Sequence, residues 1–135
     1  MGLRLEYASI YAGLNLIILI VVAFLVVRLR RRHKISLGDG GNEALIRAIR
    51  AHGNASEYIP AGLAGLTLLA LADSAVLPAW FIHAAGISLT AGRILHPIGI
   101  HAGQMPLRAF GMQLTVLSYV LMAGGLLYSG LAPQL

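Results

Sequence analysis

The chain has 135 residues, 58% hydrophobic and only 11% charged, a composition a soluble domain of this length cannot cover with polar surface. Its net charge of +5 would suggest nucleic acid in a soluble protein, but the basic residues cluster near segment ends, which points to lipid head groups and membrane topology, with no nucleic-acid partner. The absence of cysteine excludes a protein thiol nucleophile, a thiolate metal site and any disulfide.

In chain order, the first predicted span runs from about Leu5 to Arg28. Its apolar stretch is interrupted by Ser9 and Asn15, is too long for a signal core and lacks a small-residue cleavage site, so it stays as a spanning helix. Arg28 to Lys34, with His33, reads as a solvated stop-transfer cluster. Gly38 to Gly41 lacks the Lys-Ser/Thr of a phosphate loop and reads as a turn.

The second span covers about Glu43 to Ala72, with Asn42 as its N-cap. Its first turns are polar, so it starts outside the bilayer. Pro60 lies within it and deprives the Ser56 carbonyl of a donor, which predicts a kink. The short connection from Asp73-Ser74 to Pro78 makes spans two and three antiparallel neighbours, with Asp73 a loop or helix-end residue. The third span covers about Ala75 to His96 and ends at Pro97-Ile98-Gly99. The fourth covers about Leu107 to Ser129. Each has roughly 20 apolar-rich residues, enough for a hydrocarbon core of about 30 Å. Without water to satisfy free backbone, these must be helices. The expectation is one all-α domain over 1–135, an integral-membrane four-helix bundle. Small residues in spans two to four suit close helix packing.

In this layout all of the 10 Lys and Arg except Arg4 fall on one side. The positive-inside rule then puts both termini outside and both charged connections in the cytoplasm. Tyr7, Tyr11, Trp80, Phe81 and Tyr128 fall at the outer interface as an aromatic belt.

Charged groups inside membrane segments are costly and need a reason. Arg47, Arg50, Asn54 and Glu57 lie within an arc of about 80° on span two, flanked by Tyr58. Arg93 and His96 share a face of span three at i and i+3. Arg108 opens span four at the same depth, and His101 lies in the connecting loop. Two readings follow. Glu57 could pair with an arginine across the bundle as structural glue, or the excess of cations over the carboxylate could hold an anionic ligand. His52 faces away from Asn54 and reads as interfacial, and His83 as a satisfied core histidine. The five histidines have no HxxxH or HExxH spacing, so no metal site is expected.

The order Arg50-Ala51-His52, Asn54, Ser56-Glu57-Tyr58 and Pro60 resembles the signature of the MAPEG family, the membrane-associated proteins in eicosanoid and glutathione metabolism. Asn54-x-Ser56-Glu57-Tyr58-x-Pro60 is similar to the leukotriene-forming glutathione transferases, and Arg93-x-x-His96 resembles the span-three motif of microsomal prostaglandin E synthase. Leu37 to Gly41 resembles the small bacterial YecN-type branch, which implies a bacterial inner-membrane protein. The resemblance covers essentially the whole chain. It implies a homotrimer binding glutathione as cosubstrate between subunits, near the cytoplasmic face.

By position, Arg50, Asn54, Tyr58, Glu57, Arg93 and His96 correspond to residues that contact glutathione or support its site. Arg108 resembles an arginine beside the thiol and is the expected catalytic residue. Ile100, Met105 and Ala109 depart from the family pattern, where a tyrosine, an arginine and a serine occur. The thiol-activating groups are thus thinned. The implied activity is glutathione S-transferase-like or peroxidase-like toward a hydrophobic electrophile arriving through the membrane lipids. The alternatives are a non-enzymatic scaffold of the same fold and a small transporter with Glu57 as its proton-coupled group.

Overall fold

The computed structural model describes residues 2–72 and 77–131, with side chains from Arg4 onward. The expected connection at Asp73-Ser74 and the expected helix start at Ala75 lie outside the described residues. Four helices follow one another: α1 Gly2–His33, α2 Glu43–Leu71, α3 Trp80–Ala102 and α4 Met105–Leu131. The α3 and α4 helices share the most extensive contact. The α1 helix packs on α2 and α3, on the flank opposite α4.

The helix ends follow from local chemistry. The basic run continues α1 beyond its apolar part, because arginine is a good helix former. Lys34, Gly38, Gly40 and Gly41 take positive φ in the turn that follows. There Arg30 Nη1 donates to the Gly38 carbonyl at 2.8 Å. Asn42 caps α2, its side-chain oxygen accepting from the Leu45 N–H at 2.9 Å. The α2 helix is continuous across Pro60.

Two expected boundaries need correction. The third helix does not end at Pro97 but continues to Ala102, where Gly103 at φ 67° reverses the chain. Proline removes one donor there, and the packed helix tolerates the loss; the left-handed glycine is the stop. The fourth helix starts at Met105 rather than Leu107, because Pro106 sits in a first turn that needs no intrahelical donor.

The α3–α4 seam is built on glycine. Gly99 lies directly on the Arg108 backbone, Gly111 on His96, and Gly92 on Thr115 and Gly111. Each pairing of 99 with 108, 96 with 111 and 92 with 115 keeps one antiparallel register. A Cβ at Gly92 would come within 2.6 Å of the Gly111 carbonyl oxygen, so only hydrogen permits this approach.

Composition alone, applied to the described residues, marks α4 and the Arg4–His33 part of α1 as long and apolar enough to cross a membrane. The expectation of four such spans is met by two. The polar first turns of α2 lower its hydropathy, and α3 carries buried Ser88, Thr90, Arg93 and His96.

Three polar groups are buried in the bundle. Arg4 is one of them. Its Nη2 donates to the Leu69 carbonyl at 2.8 Å and its Nη1 to that of Leu77, so it caps the C-terminal end of α2. Tyr11 is buried rather than part of a belt, and its hydroxyl bonds His83 Nδ1 at 2.8 Å. That bond, with the Tyr7 ring centroid 4.3 Å away and tilted by 47°, makes His83 a satisfied histidine. Asn15, fully buried, donates to the Tyr11 carbonyl and to Thr90 Oγ1, both at 2.9 Å.

Candidate functional site

The polar face of α2 divides into two parts. At its start, Arg47 pairs with Glu43 one turn earlier at 3.2 Å and reaches the His101 carbonyl at 3.4 Å. Such an exposed pair contributes little to stability. Further along, Arg50 and Glu57 are exposed and Asn54 is half-buried. Neither Arg50 nor Glu57 forms an ion pair among the described residues. The structural-glue reading of Glu57 therefore finds no partner within the described chain.

Arg50, Asn54 and Glu57 of α2 face His96 and Ile100 of α3 and Arg108 of α4 across a cleft of about 380 Å³. A second cleft, of about 430 Å³, adjoins it. Arg50, Ile100 and Arg108 line both, and Arg47 and Met105 line only the second. The seam glycines create the site. Because Gly99 admits the Arg108 backbone so closely, the first turn of α4 lies beside His96.

His96 is 3% exposed, and its Nδ1 lies 2.9 Å from the Arg108 carbonyl. A carbonyl only accepts, so Nδ1 carries the proton. The neutral ring then presents Nε2 as an acceptor. Nε2 is buried and has no partner among the described residues. The cleft thus brings together two guanidinium groups and one carboxylate without ion-pair partners among the described residues, with the His96 ring in its wall. Its net charge is positive, and it suits a ligand with anionic groups and an ammonium or other donor.

Arg93 and Tyr58 stand behind this cleft rather than lining it. Arg93 is 1% exposed. Its Nε and Nη2 donate to Thr115 Oγ1 at 3.0 and 2.6 Å, and its Nη1 to Asn54 Oδ1 at 2.8 Å. The guanidinium carbon lies 5.1 Å from the Tyr58 ring centroid, a cation–π contact. The Tyr119 hydroxyl donates to the Tyr58 carbonyl at 2.6 Å. Arg93 thus fastens α2 to α4 through α3 and fixes which way Asn54 turns its amide. Thr115 is the member that sequence reasoning missed. Its only signal is that it is one of several polar residues, with Gln113 and Ser118, in a largely apolar fourth span.

The three departures also separate in space. Ile100 lines both clefts and Met105 the second. Ala109 is exposed and lines neither of these clefts. Where Ile100 and Met105 stand, the walls offer no donor, which leaves Arg108 as the cation of α4 at the site.

A model of the MAPEG family matches residues 8–128. The inner membrane protein YecN of Escherichia coli strain K12 is 38% identical over 115 residues, covering 85% of this chain and 86% of that protein. The protein of the same name from Escherichia coli O6:H1 matches with the same identity and coverage. The apolar helices, the four-helix architecture and both comparisons agree: this four-helix membrane protein belongs to the MAPEG family.

Proposed function

We propose that the cleft binds glutathione and that the protein transfers the glutathionyl group, through its sulfur, to a hydrophobic electrophile. The observation that carries this reading is the convergence of Arg50, Glu57, Arg108 and His96 on one cleft, the three charged groups without ion-pair partners among the described residues. Glutathione has the complementary groups: two carboxylates, one ammonium and one thiol. Glu57 accepts the ammonium, and Arg50 holds a carboxylate. Arg108 faces the sulfur and stabilises the thiolate, as a nearby cation does for any thiol. The apolar substrate arrives from the bilayer. The thiol releases its proton to water, the thiolate attacks the electrophilic carbon, and the S–C bond forms as the bond from that carbon to its leaving group, chloride in a chloroarene, breaks. A lipid hydroperoxide is a second substrate class for the same thiolate. The functional unit is a homotrimer in the inner membrane, with both termini outside and the cleft at the cytoplasmic side.

The test is a pair of variants assayed with glutathione and 1-chloro-2,4-dinitrobenzene. Arg108→Ala is expected to lower kcat by roughly 100-fold while leaving glutathione affinity within a few-fold, the effect of removing one charge-stabilising donor. Glu57→Ala is expected to weaken glutathione binding by roughly 10-fold or more, the usual cost of losing a charged hydrogen bond. If both variants behave as wild type, the site assignment is wrong.

A second reading, a non-enzymatic scaffold, is favoured by Ile100, an apolar wall at the centre of both clefts. In that case Arg50 and Glu57, both exposed on one subunit, pair between subunits. Glu57→Ala then dissociates the assembly. A transporter centred on Glu57 is disfavoured, because Arg50 and Asn54 accompany the carboxylate in the cleft.

A further inference from the structure

On the flank away from this cleft, α1 and α3 enclose a groove of about 250 Å³. Its walls are apolar for most of its length: Ile17, Val21 and Leu25 from α1, and Ile94, Pro97 and Ile98 from α3, with Arg93 almost fully buried beneath them. Ile17, Val21, Ile94 and Ile98 are all exposed, so nothing in the described chain covers the groove. His101 lines it as well, and its Nε2 is buried without a partner among the described residues.

The basic run at the end of α1 continues this face. At 100° per residue, Arg32 projects along the midline of the α1 wall and Arg28 within about 40° of it. Arg31 projects about 100° away. Arg30 points to the opposite side, where it donates to the Gly38 carbonyl. No hydrogen bond or ion pair engages Arg28 or Arg32 among the described residues, and both are exposed or nearly so. From Ile17 to Leu25 the groove is about 12 Å long, and Arg28 and Arg32 follow about 4 and 10 Å further along the axis.

A solvated stop-transfer cluster needs no such register, and an apolar wall alone needs no histidine. We propose that the groove binds one anionic glycerophospholipid of the surrounding bilayer. An acyl chain lies along Ile17 to Leu25, His101 Nε2 meets an ester or phosphate oxygen, and Arg28 and Arg32 hold the phosphate-bearing head group. The order from acyl to ester to phosphate matches the order along α1 from the bilayer interior to the interface. The charge is complementary to an anionic head group and gives no advantage to a zwitterionic one.

The probe is an equimolar mixture of phosphatidylglycerol and phosphatidylcholine with identical chains, added to the detergent-purified protein and read by native mass spectrometry. Phosphatidylglycerol adducts are expected to exceed phosphatidylcholine adducts by roughly tenfold. The Arg28→Gln/Arg32→Gln double variant is expected to lose that preference. Arg31→Gln/Lys34→Gln, with the same charge loss off the face, is expected to keep it. Val21→Trp, which fills the groove, is expected to lose the adducts with helicity and oligomeric state unchanged. Equal binding of the two lipids, or equal losses in the two double variants, would overturn the proposal. So would a Val21→Trp protein that separates into subunits yet retains phosphatidylglycerol, since the groove would then be an interface between copies of the chain.

Discussion

Arg93→Ala is expected to lower the unfolding temperature of the detergent-solubilised protein by about 10 °C. The guanidinium is almost fully buried and has no carboxylate partner among the described residues. Its charge is tolerated because three N–H groups donate to Thr115 and Asn54 while the Tyr58 ring lies over its face. Truncation leaves Asn54 Oδ1 without its donor and opens a cavity at the junction of three helices. The two effects together cost about 3 kcal/mol, partly offset because no charge is any longer buried. Arg93→Met, which fills the volume without the charge, is expected to lose about half as much. Because Asn54 lines the cleft, both variants are expected to bind glutathione a few-fold more weakly. An Arg93→Ala protein that melts within 2 °C of wild type, roughly the shift of a neutral surface change, would refute the strut.

Gly111→Ala is expected to be among the most damaging of the single-methyl additions, with those at Gly92 and Gly99. The new Cβ would lie 2.5 Å from the His96 amide nitrogen and 3.0 Å from the Gly92 carbonyl oxygen. These are backbone atoms of a packed helix, so the clash is relieved only by moving α3 away from α4. The cost is about 2 kcal/mol or more. The same displacement lengthens the His96 Nδ1 to Arg108 carbonyl bond, now 2.9 Å, and pulls Arg108 away from His96. Conjugating activity is therefore expected to fall further than stability does, by roughly 10-fold or more, as a displacement of about an ångström produces at a reacting centre. Gly124→Ala is the matched control. A Cβ there meets nothing within 4 Å, so stability is expected to stay level or rise slightly. Melting curves and turnover of the two variants, measured side by side, check both statements. Equal behaviour would mean that the seam is not what holds the site.

Some of this was legible in the residues. Asn42 announced the start of α2 because a side-chain acceptor before an amphipathic run has few other uses. The α2 stripe placed Arg50, Asn54 and Glu57 on one face, and the cleft gathers them with His96 and Arg108. Helical spacing could not distinguish a side chain that lines a cleft from one that reaches behind it. Arg93 and His96 share a face of α3, yet Arg93 turns to Asn54 and Thr115 while His96 turns to the start of α4. Only the partners on other helices decide this.

The burial of Arg4 was not legible for a related reason. Its position in the chain gave no sign that carbonyls at the end of α2 draw it into the bundle. Pro97 misled because a lost donor does not end a helix that tertiary packing holds. The stop lies six residues on, at a glycine in the left-handed region.

The central claim is that the cleft between α2, α3 and the start of α4 binds glutathione through Glu57. Titration calorimetry of the detergent-purified protein with glutathione, beside the Glu57→Ala variant, tests it most directly. The account predicts saturable binding by the wild type and a loss of roughly 10-fold or more in affinity for the variant, with its oligomeric state unchanged. No heat of binding at millimolar glutathione, or equal affinity in the two proteins, would contradict it and leave the family fold without a glutathione site.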